Sequence, residues 1–240
     1  YASYAHSPVR PRGNRSSVLT GVFQVFRYPN TWFLALAPGG VVGPVLAFSG
    51  LWGVPFLTTV YGLTPARSAA LTSALLVAWG VGGPVFGALS DRIGRRKPLY
   101  LGGCVLGCLG WAVILFVPRL PLGLLAGLIL GVGFVSGGMI IGFAFVRESV
   151  PPSLAGTVSG VCNMGVMIGP MVLQPAMGMV LDLCWEGGTV DGVRVYGPSA
   201  YRSAFLLMTA WSILSVIMLL FTRETHCRQV VPEKGPSRSR

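Results

Sequence analysis

Charge is scarce in this sequence, and acidic charge most of all. Only 10% of the 240 residues are charged, and just seven are Asp or Glu. A soluble domain carries about 25% charged residues, so an ordinary soluble fold is excluded. The 18 Lys and Arg residues give a net charge of +11, but they cluster at the ends of apolar runs. That distribution argues against a nucleic-acid partner and is typical of orientation signals in membrane proteins.

Groups that perform chemistry or hold metals are also rare. The two His residues, His6 and His226, lie in the terminal segments, and the five Cys residues form no disulfide pattern. Cys104 and Cys108 stand one helical turn apart in an apolar run, where small buried residues are favoured over a metal pair. No Gly-x-x-x-x-Gly-Lys-Ser/Thr phosphate loop is present. We therefore expect no cofactor, no metal and no catalytic site, and neither a membrane enzyme nor a nucleotide-driven pump.

Long apolar runs are what the sequence has in abundance. A helix needs about 20 residues to cross a bilayer, and its backbone groups must bond within the segment. Six runs of about that length are present: residues 31–57, 68–90, 98–118, 120–146, 153–181 and 204–221. The sequence thus predicts an all-α polytopic protein with a six-helix transmembrane bundle over residues 31–222, located as a multi-pass protein in a bacterial inner membrane.

The loop over residues 87–97 fixes the expected orientation. It holds four basic residues beside one acid, Asp91. Short loops rich in Lys and Arg stay on the cytoplasmic side, so both termini of a six-span chain are expected there too. Fourteen of the 18 basic residues then lie inside. The four that remain outside are Arg67, Arg119, Arg194 and Arg202.

The two terminal segments are predicted to lie outside the bundle. Residues 1–30 form a cytoplasmic linker with a short amphipathic helix over 17–28, where Leu19, Val22, Phe23 and Phe26 recur at helical spacing. A frayed extension of the linker is the alternative. Residues 223–240 are predicted to be a basic, disordered cytoplasmic tail. The chain begins with Tyr instead of Met, so we expect a fragment of a longer protein.

Glycine patterns predict how the helices pack. Gly pairs four residues apart, such as Gly133 and Gly137 or Gly165 and Gly169, let helix backbones approach closely. Gly next to Pro at 43–44, 83–84 and 169–170 marks kinks. Kinked spans suit helices that change shape around a cavity, and purely structural kinking is the alternative.

The basic loop resembles a family signature. The pattern Gly87-x-Leu89-x-Asp91-Arg92-x-Gly94-Arg95-Arg96-Lys97 is similar to the loop after the second helix of each six-helix half in the major facilitator superfamily. Tyr28-Pro29-Asn30-Thr31-Trp32 resembles the entry to helix seven, so the chain resembles a carboxy-terminal half. Residues 155–182 resemble, more loosely, helix eleven of sugar-phosphate permeases. The resemblance covers residues 17–222 and implies a partner, either a missing amino-terminal half or a second copy.

The resemblance also implies gating residues at the cytoplasmic end: Gly87, Asp91, Arg92, Gly94, Arg95 and Arg147. We hypothesise a latch in which Asp91 meets Arg147 and the positive N-terminus of the fifth helix, closing the cytoplasmic gate in the outward-open state. Alternatively, Asp91 caps its own helix or offsets its basic neighbours. The loop cations are expected to be orientation signals and headgroup contacts.

Candidate substrate-binding residues are few. The resemblance implies that runs one, two, four and five face a central cavity, and transporter sites lie near the bilayer midplane. Asn163, Trp79 and Ser136 lie at about that depth in their runs. Asn163 is the best of them, although it could simply tie helices together, and a Ser hydroxyl can bond its own backbone.

No run contains a charged residue well inside the membrane, where each would cost about 2.5–3.5 kcal/mol. This unit therefore offers no proton-coupling carboxylate and no cation for an anionic substrate. The resemblance implies a secondary active transporter that moves a small polar or organic solute across the lipid bilayer by alternating access, with this chain as half of the pathway. The alternative is a non-transporting six-helix scaffold or a homodimeric half-transporter.

Overall fold

The computed structural model describes residues 15–190 and 192–232. Within these residues, six helices are long and apolar enough to cross a membrane. We number them spans 1 to 6, with the bounds Pro29–Tyr61, Pro65–Ile93, Lys97–Phe116, Leu122–Glu148, Pro152–Leu183 and Pro198–Leu220. The predicted all-α, six-span membrane fold is confirmed.

Two of the spans, 1 and 4, are interrupted inside the bundle. Span 1 changes to a π-helical turn and span 4 to a 3-10 turn near its middle. Such turns often mark functional sites or strained sequence. The elements in order are α1 (Arg15–Val25), α2 (Pro29–Leu36), α3 (Gly39–Ala47), the π turn (Phe48–Trp52), α4 (Gly53–Tyr61), α5 (Pro65–Ile93), α6 (Lys97–Phe116), α7 (Leu122–Ser136), a 3-10 turn (Gly137–Met139), α8 (Ile140–Glu148), a 3-10 turn (Pro152–Leu154), α9 (Ala155–Leu183), β1 (Thr189–Val190), β2 (Val193–Arg194) and α10 (Pro198–Leu220).

Most of the contacts between spans repeat in a pseudo-two-fold manner. Span 1 packs on spans 5 and 6, span 4 packs correspondingly on spans 2 and 3, and spans 3 and 6 pack on each other. Exchanging span 1 with 4, 2 with 5 and 3 with 6 reproduces these contacts, as in folds built from two three-helix repeats. Spans 2 and 5 share no extensive contact. Spans 1 and 4 each contact both of them, so spans 2 and 5 are joined through spans 1 and 4.

Glycines bring the spans of the two repeats together. Gly165 and Gly169 of span 5 lie so close to the carbonyls of Ala35 and Gly39 that a Cβ at either glycine would overlap them. This confirms the predicted small-residue packing for that pair. In the equivalent contact between spans 4 and 2, a Cβ at Gly137 would likewise overlap the span 2 backbone. Backbone contact of this kind is how helices associate without a hydrophobic driving force.

The amino-terminal helix α1 lies against the start of span 5. Gly21 approaches Thr157, and Val25 is fully buried. Leu19 and Phe23 are exposed on another side of α1. A helix is therefore present near the predicted range of 17–28, but it covers residues 15–25. Span 1 begins at Pro29, before the predicted boundary.

The carboxy-terminal segment departs from the prediction of disorder after residue 222. Residues 223–232 are described and lie against the end of the bundle, where Val230 N–H donates to the Glu148 carbonyl at 3.0 Å. Asn30 of span 1 bonds the backbone N–H and carbonyl of Arg223, both at 2.8 Å. These bonds hold the start of the tail in place. Residues 233–240 lie outside the described part of the chain.

Candidate functional site

One end of the bundle, called the basic end here, comprises residues 90–97, 147–154 and 222–232. Span 2 ends there at Ile93, because Gly94 adopts a left-handed conformation (φ +71°) that a side chain would strain. The Gly94 N–H donates to the Ser90 carbonyl at 3.0 Å, and the Ser90 hydroxyl donates to the Arg95 carbonyl at 3.0 Å. The chain thereby turns back toward span 2 and directs Arg96 inward.

Arg96 is the centre of the basic end. The residue is only 7% exposed, and its guanidinium contacts two carboxylates. It lies 2.5 Å from Asp91 Oδ1 and 2.7 Å from Glu148 Oε1, and also donates to the Ser90 hydroxyl at 3.1 Å. Because the acids come from the ends of spans 2 and 4, one cation joins those two ends.

Glu224, which follows span 6, caps the start of span 3. Its carboxylate accepts hydrogen bonds from the backbone N–H groups of Arg96 and Lys97 at 3.0 and 2.9 Å. The first N–H groups of a helix lack partners within the helix and favour a negative group. In return, Lys97 Nζ donates to the carbonyls of Leu220 and Thr222 at the end of span 6, at 2.7 and 2.8 Å. Spans 3 and 6 therefore cap each other.

The tail completes the network. The Thr225 hydroxyl donates to Glu148 Oε2 at 2.5 Å, and the Gln229 amide contacts the Val150 carbonyl. Glu148 is thus bonded by Arg96 through one carboxylate oxygen and by Thr225 through the other. Spans 2, 3, 4 and 6 are consequently tied together by residues that are polar or charged and lie outside the apolar core.

These contacts shift the pKa values of two residues outside the spans. Burial would lower the pKa of Arg96, but its bonds to Glu148 and Asp91 outweigh burial and raise it. Partial burial would raise the pKa of Glu224, but hydrogen bonds from the N–H groups of Arg96, His226, Lys97 and Thr225 hold it below its ordinary value. Both residues therefore favour their charged forms more strongly than they would in water.

The hypothesised pair of Asp91 and Arg147 is not formed in this structure. Asp91 pairs with Arg96 instead, and the Arg147 side chain donates to the Phe143 carbonyl of its own helix at 3.1 Å. Arg92 and Arg95 are exposed, as expected of orientation signals. Gly94 has a local role in ending span 2. The pair agrees with the alternative that Asp91 offsets its basic neighbours, although Arg96 itself was expected only as an orientation signal.

Glu148 and Glu224 were missed as site residues. Both stand directly at the end of an apolar run on the side that holds the basic loop. Their position was the available signal, because a chain with seven acids places few of them there by chance. Within residues 15–190 and 192–232, no group of three or more His, Cys, Asp or Glu side chains is arranged to hold a metal ion.

A groove between spans 2 and 4 leads from the basic end toward the middle of the bundle. It encloses about 640 Å³ and brings together Trp79, Gly87 and Asp91, three of the predicted site residues. Gly137 and Ile140 of span 4 form its other side. A Cβ at Gly87 would lie 3.8 Å from the Ile140 side chain, so Gly87 leaves this groove open without being sterically required.

Asn163 is exposed on span 5, and no described residue hydrogen-bonds its side chain. Farther along the helix, Gln174 donates to the Leu46 carbonyl at 3.2 Å, and Trp52 Nε1 donates to the Gln174 carbonyl at 3.1 Å. These bonds attach span 5 to the interrupted part of span 1. Gln174 therefore connects the exposed face of span 5 to the π turn of span 1.

Ser136 lies elsewhere. It is 2% exposed and lines a small enclosed space among spans 1, 3, 4 and 6, together with Gly40, Cys108 and Ser212. The space has room for about one water molecule. This placement does not support the prediction of Ser136 as a substrate ligand, because the hydroxyl faces the bundle interior.

A family model and several curated proteins match the sequence. The model described as Major Facilitator Superfamily matches residues 33–239. The chain is 29% identical over 232 residues to the protein named Probable nitrate/nitrite transporter NarK2 from Mycobacterium tuberculosis, covering 93% of this chain and 52% of that protein. It is 27% identical over 116 residues to the arabinose-proton symporter of Bacillus subtilis, covering 48% and 25%. The chain thus spans about half the length, or less, of these relatives.

Among solved structures, the xylose transporter XylE from E. coli in an inward open conformation has the same fold. The TM-score is 0.60 at 16% identity, over 85% of this chain and 48% of that one. The transporter family and its bacterial members confirm a multi-pass membrane protein that is not an enzyme. The resemblance to sugar-phosphate permeases stays a prediction. The fold, the loop signature and the matched range together establish that the chain belongs to the Major Facilitator Superfamily.

Proposed function

We propose that this chain forms one wall of a solute pathway in a secondary transporter that works by alternating access. The observation that carries the proposal is that spans 2 and 5 share no extensive contact and are joined through the two interrupted spans, 1 and 4. Transporter sites form where such discontinuous helices meet near the bilayer midplane. Asn163 lies exposed on span 5, and Trp79 lines the groove on span 2.

One such wall does not enclose a pathway. The proposal therefore includes a second six-helix unit that faces spans 2 and 5, either another half of the same protein or a second copy of this chain. The solute would pass between the two units. The named relatives act on different solutes, nitrate or nitrite and arabinose, so their names favour no single substrate here.

The basic end is proposed to lie in the cytoplasm and to act as the rigid base of the gate. Fourteen of the 18 basic residues fall on that side, which supports this orientation. Asp91 bonds Arg96 through Oδ1 only, and its side chain is 68% exposed. It is therefore accessible to the facing unit. The latch hypothesis is accordingly changed: Asp91 would reach across to the second unit while Arg96 holds it in place.

The test is solute-dependent protection of a thiol at position 163. The full chain carries Asn163→Cys in a background without its five native cysteines and is reconstituted in liposomes. A membrane-impermeant maleimide should label this Cys, and a transported solute should slow the labelling. Ser136→Cys is the matched control, because that position is buried and should label slowly whether or not solute is present.

The alternative function, a six-helix scaffold without transport, predicts a different result. Labelling at position 163 would then be absent or unaffected by every solute tested. Sidedness is read from the same vesicles by placing a Cys at the exposed position of Arg95. Labelling of that Cys from the extracellular side would contradict the proposed orientation.

A further inference from the structure

The methionines of this chain are distributed unevenly between its faces. The sequence has eight Met residues, and all of them are described. Four have exposed side chains, and all four belong to span 5: Met164, Met167, Met171 and Met179. The exposed apolar side chains of spans 3 and 6 are different, being Leu106, Leu109, Leu206, Ile213, Leu214, Ile217 and Leu220. The exposed face of span 5 therefore differs in composition from the exposed faces of spans 3 and 6.

Helical spacing places part of this methionine set in line with the interrupted part of span 1. Asn163, Met167, Met171 and Gln174 follow one another at intervals of four, four and three, so they share one side of span 5. At the end of this stripe, Gln174 contacts span 1 at Leu46, and the Gln174 carbonyl accepts the Trp52 indole N–H. The stripe therefore runs along the side of span 5 that joins the π turn, where Gly50 and Leu51 are exposed.

The polar groups on this stripe are limited to one free amide. Gln174 is engaged with span 1, whereas Asn163 has no described hydrogen-bond partner. Ser159, one turn earlier, donates to its own helix at the Ala155 carbonyl. Span 5 holds no charged side chain before Asp182, at its far end. A wall of this composition offers neither the several hydroxyl-binding groups that a sugar needs nor a cation for an anion.

Methionine suits a particular kind of ligand. Its side chain is unbranched, has three rotatable bonds and carries a polarizable sulfur that packs well against aromatic rings. Surfaces rich in Met adapt to apolar partners of varied shape. Hence we propose that the stripe of Asn163, Met167 and Met171 contacts a neutral, largely apolar organic solute that offers one hydrogen-bonding group to Asn163. This inference rests on the proposed function, because it assumes that the stripe lines the pathway.

Methionine oxidation tests separately whether the stripe lines a pathway and which class of solute it contacts. The full chain is placed in lipid nanodiscs and treated with aqueous chloramine-T, and sulfoxide at each Met is followed by mass spectrometry. Leu214→Met is the matched control for lipid exposure, because Leu214 is exposed on span 6. Met167 and Met171 should be oxidised much faster than the methionine that the control introduces on span 6, since water reaches a pathway but not the acyl chains.

The solute class is tested by protection. Two neutral aromatic amides, acetanilide and benzanilide, are compared with sodium nitrate and D-xylose. An amide at ten times its dissociation constant should slow oxidation of Met167 and Met171 about tenfold, because only the unoccupied fraction reacts. Asn163→Leu should keep the fast oxidation but lose the protection, whereas Ser159→Ala should keep both.

The outcomes distinguish the two levels of the argument. Oxidation of Met167 as slow as that of the lipid-exposed control would show that the stripe faces lipid, which overturns the proposed pathway itself. Fast oxidation that nitrate or xylose prevents, or that neither amide slows, would leave the pathway in place and overturn the solute class. Fast oxidation with protection by the amides alone, lost in Asn163→Leu, would support the inference.

Discussion

Arg96 gives the sharpest test of how the basic end is held together. Its guanidinium bonds Glu148, whose side chain is 15% exposed, and Asp91, whose side chain is 68% exposed. Replacing Arg96 with Gln leaves the Glu148 carboxylate partly buried without its cation. Removing one partner of a buried ion pair costs about 3–5 kcal/mol. Because Asp91 is mostly solvated, its lost pairing adds little, so we expect about 3 kcal/mol for Arg96→Gln.

The assay is thermal unfolding of the full chain in detergent, followed by tryptophan fluorescence. For a chain of this size, 1 kcal/mol corresponds to about 2–4 °C in Tm, so Arg96→Gln should lower Tm by about 6–12 °C. Arg95→Gln is the matched control, because Arg95 is the neighbouring cation and is exposed. It should change the free energy of unfolding by less than about 0.5 kcal/mol.

A double-mutant cycle isolates the pair from other effects. If Arg96 acts mainly on Glu148, the double variant with Glu148→Gln should be more stable than the sum of the single effects implies, by about 1–3 kcal/mol. Equal destabilisation by Arg96→Gln and Arg95→Gln, or strict additivity in the cycle, would refute the assignment of Arg96 as the residue that joins spans 2 and 4.

Three further predictions use the same assays. Folding lowers the pKa of Glu224, so the stabilisation by its carboxylate is present above the unfolded pKa of about 4.3 and is lost as the pH falls through the folded pKa. In Glu224→Gln, the dependence of Tm on pH should therefore be weaker in that acidic range. Gly169→Ala should destabilise the chain, because the added Cβ would overlap Gly39. Gly160→Ala has open space around the added Cβ and should stabilise the chain by up to about 1 kcal/mol. Equal effects of the two variants would contradict the close packing at Gly169. Ser136→Ala should leave solute protection at position 163 unchanged, because the hydroxyl faces the interior.

The number and order of the spans could be predicted because the bilayer imposes a minimum run length and expels charge. The predicted bounds of the spans were less accurate where no charged residue marks the end of an apolar run. The first run was expected to end near residue 57, but span 1 continues to Tyr61 and stops at Gly62, which has a left-handed φ of +63°. Local backbone geometry, and not hydropathy, decides that boundary.

The partners within the basic end could not be predicted from hydropathy or charge counts. Sequence places acids at the ends of runs, but it does not give the tertiary arrangement that brings Glu224 to Arg96, 128 residues away. The expected partner of Asp91, Arg147, lies on another span. Arg96 is only five positions from Asp91, and the turn at Gly94 returns it to the acid. Because the turn at Gly94 already directs Arg96 toward Asp91, this local cation pairs with Asp91 in place of the distant Arg147.

The sequence also does not determine which face of each helix points into the bundle. Span 4 is apolar almost all round, so no periodicity indicates which side of Ser136 meets the interior. In the structure, Ser136 faces span 3, since a Cβ placed at Gly107 of that span would lie 3.7 Å from the Ser136 hydroxyl. For Asn163, the structure gives an exposed side chain on span 5, and its contact with a solute stays a prediction.

Under the proposed function, charge and solute contact are separated along the same helix. The groove that starts at Asp91 also contains Trp79, and both belong to the single unbroken helix of span 2. No charged side chain lies between them on that helix. A solute near Trp79 can therefore influence Asp91 through span 2, either by moving the helix as a body or by bending it at Pro84. Arg96 would transmit that movement to Glu148 and span 4. Within this unit, the proposed link between solute and gate is mechanical, because the described spans hold no Asp, Glu, Lys, Arg or His well inside the membrane that could carry it as a proton.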